Sequence, residues 1–353
     1  MLRVFSRGLP APAGVSTKQA TESEDIVPPI QRIAVTGSSG YCGCRFIARV
    51  RKNAPSVRIL GLDAAVASND APDEFHQIDV RDSKIVEPLR EFAPDTIVHM
   101  AFMMNAIYDD ALMRDINING SRNVFAAVAT VKPQRFLHYS SMTAYGAWPD
   151  NPVPMDETWP LRARSDFRYA ADKTELERDI LQFATDHPEM TVSWVRPALV
   201  LGQGAQNYLT RYLLDGLFVA LPDGVDSPIQ FVHEDDLTRA TWEILARDGR
   251  GPFNVCPPNW MTWSEVARLR NKRAVKLPLW LIRGSAKIWW TLRLPAITSA
   301  MGCPPGLMNF IRYPWVGISK RLTDEFDFRF EHSSVESFLE AWESYRAAST
   351  RRR

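Results

Sequence analysis

The chain has 353 residues, of which 45% are hydrophobic and 24% are charged, and this composition is typical of a globular protein with a full core. Its 42 Lys and Arg and 41 Asp and Glu give a formal net charge of +1, so no global positive field favours nucleic acid as a partner. Four cysteines without a CxxC pair exclude a disulfide framework, and no run reaches the roughly 18 uncharged apolar residues of a membrane-spanning helix.

Residues 1–29 are predicted to form a disordered N-terminal extension. They are rich in Ser, Thr, Ala and Pro, and their basic residues precede the first acid, Glu22. The same composition is typical of an organellar transit peptide. We predict a cytoplasmic protein, with organellar import through residues 1–28 as the alternative. Residues 347–353 form a basic tail, which favours neither of these two locations.

Short apolar strands alternate with helical segments from Arg32 to about residue 200. The helical segments are expected from the first glycines to Val50, then over 83–92, 109–131 and 167–185. The strands are predicted at 32–36, 57–62, 75–80, 96–100, 135–139 and 191–195. Strands separated by helices predict an α/β fold with a doubly wound parallel sheet covered on both faces.

The pattern changes after Arg196. Residues 201–228 are rich in loops, whereas a strand at 229–233, a helix at 235–247 and a strand at 253–256 return to the first domain. We therefore predict a first domain of residues 30–200 with 229–258. Residues 201–228 and 259–346 are predicted to form a smaller, irregular C-terminal substrate domain. Within it, capping-box spacings begin two helices, at Thr262 with Glu265 and at Ser333 with Glu336.

The segment from Thr36 to Gly43 lies between a predicted strand and a predicted helix. Gly37 permits a tight turn, Gly40 lets the backbone approach a pyrophosphate, and Gly43 lets the helix pack closely. The helix N-terminus then offers free N–H groups to the phosphates. The segment predicts a dinucleotide site, and its other candidate contacts are Ser39, Tyr41 and Cys42.

Asp63 lies twenty residues after Gly43, at the end of the second strand. A carboxylate there accepts hydrogen bonds from the adenosine ribose hydroxyls and repels a 2′-phosphate, and no basic residue follows it directly. Asp63 therefore favours NAD over NADP. Asp79, at the end of the third strand, is a weaker candidate for a contact with the adenine edge, and the next residue, Val80, is a further candidate NAD contact.

Tyr169 and Lys173 are four residues apart, on one face of a predicted helix. A nearby ammonium lowers the pKa of a phenol, so Tyr169 is predicted to exchange a proton with a substrate oxygen while Lys173 reaches the nicotinamide ribose. Ser141 follows the fifth strand, at the carboxyl edge of the sheet, where open α/β sheets bind ligands.

These motifs occur in a fixed order, and the ordered set resembles the extended short-chain dehydrogenase/reductase family, also called the NAD-dependent epimerase/dehydratase family. The resemblance runs from about Arg32 to about Cys256. It is carried by Thr36 to Gly43, Asp63, Ile97 to Ala101, Asn117, Ser140 to Gly146, Tyr169 with Lys173, Arg196-Pro197, and Phe231 to Asp236.

The resemblance implies a Rossmann-type domain that holds NAD and a C-terminal domain that binds a small-molecule substrate. It implies that Tyr169 is the acid–base residue, that Lys173 adjusts its pKa, and that Ser141 is hydrogen-bonded to the reacting oxygen. Hydride would move between a substrate carbon and the nicotinamide. Further NAD contacts are expected at Met100, Ala101, Asn117 and Pro197, and substrate contacts at Met103, Thr143 and Asn207. The resemblance also implies a homodimer.

The predicted substrate is uncharged. Many family members act on nucleotide-sugars and have a basic residue before the strand that ends at His233, but residues 227–231 contain none, and only Arg211 could substitute. Met103, Met104, Trp280, Trp289 and Trp290 suggest an apolar substrate side, although such residues are more often core. We predict hydride transfer to or from an apolar or lipid-like secondary alcohol or ketone. The alternatives are a nucleotide-sugar epimerase or dehydratase that retains NAD, and a non-catalytic, nucleotide-binding structural subunit.

Residues 279–294 form a basic, Trp-bearing amphipathic pattern. Such a helix can lie on a membrane surface, but packing against the body of the protein is the commoner role and the one we favour. His99 is predicted to be a hydrogen-bonded core histidine and His233 part of a helix start. No metal site is predicted. Cys42 and Cys44 are expected to pack as small side chains, with the pKa of Cys42 lowered if the helix N-terminus dominates.

Overall fold

The computed structural model describes residues 29–67, 72–104, 109–205, 214, 217–292 and 306–351. Asn207 and Arg211 therefore lie outside the described residues. Within the described ranges, no helix is long and apolar enough to cross a membrane.

The first half of the chain alternates strands and helices as predicted. The strands are β1 (Arg32–Thr36), β2 (Arg58–Asp63), β3 (Glu74–Gln77), β4 (Thr96–His99), β5 (Arg135–Tyr139) and β6 (Thr191–Pro197). The helices are α1 (Tyr41–Asn53), α2 (Val86–Phe92), α3 (Asp110–Arg114), α4 (Gly120–Val131) and α5 (Arg168–Asp186). A π-helical turn, Asp115–Asn119, joins α3 to α4, and short 3₁₀ turns cover Ser83–Ile85 and Met142–Tyr145.

Seven parallel strands form the main sheet, in the order β11-β6-β5-β4-β1-β2-β3. β11 (Gly251–Val255) is the last strand to join and pairs with β6 at one edge. The chain order reverses between β1 and β4, and such a switch point opens a ligand crevice at the carboxyl ends of the strands. This is the Rossmann-type doubly wound sheet that the sequence predicts.

Both faces of this sheet are buried. In β1, Ile33 and Val35 belong to one apolar cluster and Ala34 to the other, because successive side chains of a strand point to opposite faces. Ile97 and Val98 of β4 divide between the clusters in the same way. Continuous apolar strands are therefore stable here, whereas a sheet with one wet face would require alternation with polar residues.

The remaining elements form the second half of the chain. Its strands are β7 (Leu199–Leu201), β8 (Phe218–Pro222), β9 (Pro228–Ile229), β10 (Phe231–His233), β12 (Met261–Thr262) and β13 (Arg273–Leu277). Its helices are α6 (Glu234–Ala246), α7 (Trp263–Leu269), α8 (Leu279–Thr291), α9 (Leu307–Arg312), α10 (Lys320–Phe326) and α11 (Ser334–Arg351). The Thr262–Glu265 capping box is formed, and Ser333 and Glu336 hydrogen-bond each other's backbone N–H groups.

Two predicted strands differ from the structure. The third ends at Gln77, so Asp79 and Val80 lie beyond it, where the Asp79 backbone carbonyl begins a turn by accepting the N–H of Asp82. The strand predicted at 229–233 is interrupted at Gln230. Its buried side chain donates to the Pro257 carbonyl and accepts the Gly317 N–H. The residues on either side of it pair with different strands, β9 with β12 and β10 with β7. Of the described strands after β6, only β11 joins the main sheet.

Candidate active site

The glycine-rich segment forms a tight cradle between β1 and α1. Gly37 has a φ of +75°, and a Cβ at this position would lie 2.5 Å from the backbone nitrogen of Ala101. A Cβ on Gly43 would lie 2.2 Å from the Gly37 carbonyl oxygen, which explains why this helix position needs glycine. α1 begins at Gly40 without a side-chain cap, and its first turn has no acid, so its N–H groups are available to an anion.

Two serine hydroxyls in this cradle fit a phosphate ligand. The Oγ atoms of Ser38 and Ser39 are buried and have no hydrogen-bond partner among the described residues. Buried hydroxyls are rarely left unpaired, and phosphate oxygens would accept from them. The glycine geometry and the unpaired hydroxyls together fit the pyrophosphate of a dinucleotide.

Asp63 faces the cradle from the end of β2. Its Oδ2 accepts the backbone N–H of Ser39 and its Oδ1 accepts that of Ala65, both at 2.9 Å. The carboxylate is half-buried and retains further lone pairs for ribose hydroxyls. The side chain predicted to select NAD is therefore fixed beside the phosphate cradle.

Asp79 and Val80 lie farther out, after β3. The Asp79 carboxylate forms an ion pair with Arg81 at 2.7 Å, and this guanidinium holds its pKa below the usual range. Val80 is buried against Gly120, and its carbonyl accepts the Asn123 amide at 2.7 Å. Their contact with an adenine stays a prediction, and the sequence did not reveal that Arg81 pairs with the Asp79 carboxylate.

Asn117 holds the backbone that follows β4. Its Oδ1 accepts the Met103 N–H at 2.8 Å, and its Nδ2 donates to the Met103 carbonyl at 3.3 Å. The amide therefore fixes the chain after Met100 and Ala101, and its expected contact with NAD stays a prediction. Phe102 and Met104 line the cavity described below, whereas Met103 does not, so its predicted substrate contact stays a prediction.

Tyr169, Ser141 and Lys173 converge on one cavity of about 230 Å³. Ser141 caps the 3₁₀ turn, and its Oγ accepts both the N–H and the hydroxyl of Thr143, at 3.2 and 3.0 Å. Its own proton is thus free for the Tyr169 oxygen, with which it is hydrogen-bonded. Lys173 Nζ donates to the Tyr139 carbonyl at 2.6 Å and lies 3.4 Å from the centre of the Phe102 ring.

Burial dominates the protonation of these groups. It raises the pKa of Tyr169 to about 12, although the Ser141 hydrogen bond acts in the opposite direction. Burial also lowers the pKa of Lys173 to about 7. The prediction that the pKa of Tyr169 is lowered is therefore wrong for the ligand-free protein, because the desolvation of its phenol dominates. Burial likewise raises the pKa of Cys42 to about 11, so the predicted lowering of its pKa is also wrong.

A buried ion pair supports the strand end that carries Ser141. Arg196 contacts Glu177 at 2.5 Å, and Glu177 also accepts hydrogen bonds from Ser140 and from the Trp194 indole. Arg196 in turn donates to the Tyr145 hydroxyl at 2.6 Å. Arg196 is one of the residues that carry the family resemblance, but its pairing with Glu177 could be recognised only from the fold.

The rest of the cavity is apolar. Gly37, Gly40, Tyr41, Cys42, Gly43, Met100, Thr143 and Pro197 line it on the cofactor side. Its distal wall is made of residues that sequence analysis missed: Phe167, Ile229, Trp263, Leu307, Phe310, Ile311 and Trp315. Lys173 is the one charged side chain among the described lining residues. Trp280 is 74% exposed and does not line the cavity, which corrects its prediction, and the side chains of Trp289 and Trp290 lie outside the described residues.

Tyr41 ties the glycine-rich segment to α6. Its hydroxyl donates to Glu234, which is 4% exposed and also pairs with Arg45 at 3.1 Å. Burial raises the pKa of Glu234 to about 8. No sequence pattern predicts this contact, because it joins residues almost two hundred positions apart.

The histidines have structural roles in the described part of the chain. His99 bonds Thr36 and Ser121, at 2.6 and 2.9 Å, as predicted, and His233 caps α6 by accepting the Asp235 N–H. His233, His332 and Glu340 are close enough to hold an ion, a juxtaposition that the sequence did not suggest. However, the two rings stack with centroids 3.8 Å apart, so their in-plane lone pairs run side by side instead of meeting at one point.

A doubly wound sheet with a glycine cradle, a carboxylate at the end of β2 and a Tyr–Lys–Ser group at the same edge defines an NAD-dependent enzyme. A comparison with known families agrees: residues 33–256 match the NAD dependent epimerase/dehydratase family. The chain belongs to this family, which includes extended short-chain dehydrogenases, and its cofactor is NAD. Because it is an enzyme of this family, the structural-subunit alternative is rejected.

The proteins that it resembles are described in different terms. An uncharacterized protein of Mycobacterium tuberculosis is 26% identical over 254 residues, covering 70% of this chain and 67% of its own. The zebrafish short-chain dehydrogenase/reductase family 42E member 1 is 25% identical over 63% of this chain and 60% of its own. A UDP-glucose 4-epimerase of Thermus thermophilus, solved with NAD, has a TM-score of 0.69 at 20% identity over 90% of this chain and all of its own. The likeness to this solved structure shows the fold alone.

Proposed function

We propose that the protein is an NAD-dependent oxidoreductase that interconverts a secondary alcohol and a ketone on an apolar or lipid-like substrate, with Tyr169 as the acid–base residue. The lining of the cavity carries this proposal. The distal wall of the cavity consists of aromatic and aliphatic side chains, notably Phe167, Phe310 and Trp315.

A nucleotide-sugar would meet this wall with a diphosphate. The desolvation of a diphosphate is unfavourable unless cations or several donors replace the lost water. Lys173 is the one cation among the described lining residues, and it is tied to the Tyr139 carbonyl and the Phe102 ring. An uncharged substrate is therefore the better match.

Oxidation of an alcohol requires a separate acceptor for the hydride and for the proton. NAD supplies the hydride acceptor when bound, held by the Gly37–Gly43 cradle and Asp63. Tyr169 takes the proton from the substrate hydroxyl, and in the reverse direction it returns the proton to the ketone oxygen. When substrate is bound, Ser141 donates to the oxygen that becomes negative instead of to Tyr169, because its hydroxyl proton is not used by Thr143.

Lys173 makes the proton transfer feasible at neutral pH. A tyrosine with a pKa of about 12 is a poor base, so the active form needs a closer cation or a further donor. The Lys173 ammonium is the nearest available positive charge in the cavity lining. Protonation of Lys173 on formation of the complex would stabilise the Tyr169 phenolate, which couples substrate binding to catalysis.

A nucleotide-sugar epimerase or dehydratase that retains NAD is the second candidate. It is supported by the solved structures of similar fold, among them the UDP-glucose 4-epimerase and a dTDP-glucose 4,6-dehydratase of Bacillus anthracis with 16% identity and a TM-score of 0.68. The same Tyr169, Lys173 and Ser141 can remove a hydrogen and return it. Only the cofactor and substrate behaviour distinguishes the two candidates.

The purified protein is denatured and the released nucleotide identified by chromatography and mass, and uridine diphosphate binding is measured by calorimetry. We expect NAD at well below one equivalent, because a net oxidoreductase must exchange its cofactor, and no binding of uridine diphosphate. Stoichiometric NAD together with micromolar binding of uridine diphosphate would reject the proposal in favour of the second candidate.

A further inference from the structure

Helix α8 exposes an apolar stripe on the outside of the molecule. Leu281, Ile288 and Leu292 are 44%, 58% and 61% exposed, and their spacing of seven and four residues places them along one side of the helix. Trp280, the most exposed of the four at 74%, flanks them. We call these four residues the α8 stripe.

The helix does not need this stripe in order to pack. Leu279 and Ile282, on another side of α8, contact the main apolar core. Arg283 donates to the Asn309 side chain of α9, which fixes α8 against that helix. Exposed apolar side chains of this size on an already anchored helix indicate a partner outside the chain.

The region around α8 is strongly basic. From residue 266 to residue 323 the sequence has eleven Lys and Arg and no Asp or Glu, although the whole chain has a net charge of only +1. The fold adds one acid at the start of α8, Asp223, which accepts the Leu279 N–H and pairs with Arg312. Lys276 precedes the helix, Lys287 lies within it, and both are exposed. A second copy of this surface would be repelled by its like charge, whereas an anionic surface would be attracted.

We propose that the α8 stripe is a docking face for an anionic lipid bilayer. A basic helix with Trp and Leu on its free side can bury those side chains at the headgroup boundary while its lysines remain at the anionic surface. The expected packing of the helix against the body is present, through Leu279 and Ile282, and docking is proposed for its other side.

Docking through α8 would bring the cavity close to the bilayer. α9 lies directly behind α8, and its Leu307, Phe310 and Ile311 form the distal wall of the cavity. A lipid-like alcohol or ketone could then enter from the membrane without crossing water. This link to the substrate rests on the proposed function, whereas the docking itself rests only on α8 and its charges.

The test is cosedimentation of the full chain with vesicles of phosphatidylcholine alone or mixed with phosphatidylglycerol. We expect binding to the mixed vesicles only, weakened by salt. A Leu281→Glu/Ile288→Glu variant should bind at least about tenfold more weakly, and so should Lys276→Glu/Lys287→Glu. Leu181→Glu is the matched control, because Leu181 on α5 is also 58% exposed, and it should bind like the wild type.

NAD binding is measured in every sample, which shows folding and separates the two proposals. NAD binding without binding to the mixed vesicles would overturn the docking face and leave the proposed function standing. Equal vesicle binding by the stripe variant and by Leu181→Glu would also overturn it. A third contradiction would be a wild-type dimer that the stripe variant breaks, without any vesicle binding. Binding to the mixed vesicles by a wild type that binds NAD but converts no apolar alcohol or ketone would uphold docking and reject the proposed function.

Discussion

Lys173 gives the clearest test of the physical account of the site. Its side chain is 3% exposed, and burial lowers its pKa to about 7 from an ordinary value of 10.5. A base whose pKa is lower in the folded state binds fewer protons there than in the unfolded chain. Between about pH 7 and pH 10.5 the wild type therefore gains stability as the pH rises, and below pH 7 it carries the full cost of a buried ammonium.

Replacing Lys173 with Met removes the charge and keeps most of the volume. A pKa difference from 10.5 to about 7 corresponds to about 5 kcal/mol when the group is fully charged in both states. By linkage, burial of Lys173 lowers the free energy of unfolding of the wild type by about 5 kcal/mol at pH 6 and by about 2 kcal/mol at pH 9. The lost hydrogen bond to the Tyr139 carbonyl, about 1 kcal/mol, is nearly the same at both pH values.

The assay is urea unfolding of the NAD-free wild type and Lys173→Met at pH 6 and pH 9. We expect the variant to be inactive but more stable, and its advantage to be larger at pH 6 by about 2 to 3 kcal/mol. Lys52→Met, at an exposed lysine of α1, is the matched control and should show no such trend. An advantage that stays constant with pH, or grows toward pH 9, would refute the reasoning.

Three further predictions concern neighbouring groups. Tyr169→Phe should lower kcat by about 10²- to 10⁴-fold with little change in NAD affinity, measured by steady-state kinetics and by NADH fluorescence; unchanged turnover would remove Tyr169 from the mechanism. Asp63→Ala should weaken NAD binding by about tenfold to a hundredfold, and NADP binding by less, by calorimetry; tighter binding of NADP than of NAD by the wild type would contradict the role of Asp63. Arg196→Met should destabilise the fold by about 3 to 5 kcal/mol in urea unfolding, because it leaves the Glu177 carboxylate buried and unpaired. Glu177→Gln/Arg196→Met should recover part of this loss, and an equal loss of stability in the single and the double variant would argue against the ion pair.

Local patterns were sufficient for the first domain. The glycines of the cradle, the carboxylate of Asp63 and the Tyr169–Lys173 spacing each depend on backbone sterics or on helix geometry within a few residues. Apolar strands separated by helices predicted the parallel sheet for the same reason. The π-helical turn at Asp115–Asn119 was not predicted, because it interrupts a helix whose sequence pattern is continuous.

The distal wall of the cavity could not be predicted. Phe310 and Trp315 face the cavity whereas Trp280 faces solvent, and all three are large apolar residues in an irregular part of the chain. Only the tertiary arrangement decides which of them points inward. The direction of the Tyr169 pKa was also mistaken, because the spacing to Lys173 reports proximity and says nothing about burial.

The most direct test of the central claim is turnover followed by NADH absorbance. The wild type is supplied with NAD or NADH and a panel of hydrophobic secondary alcohols and ketones, beside UDP-glucose and dTDP-glucose. We expect net NADH production or consumption with the apolar substrates, absent in Tyr169→Phe, and no conversion of either nucleotide-sugar by product chromatography. Conversion of a nucleotide-sugar without net change in NADH, and no reaction with the apolar panel, would contradict the account.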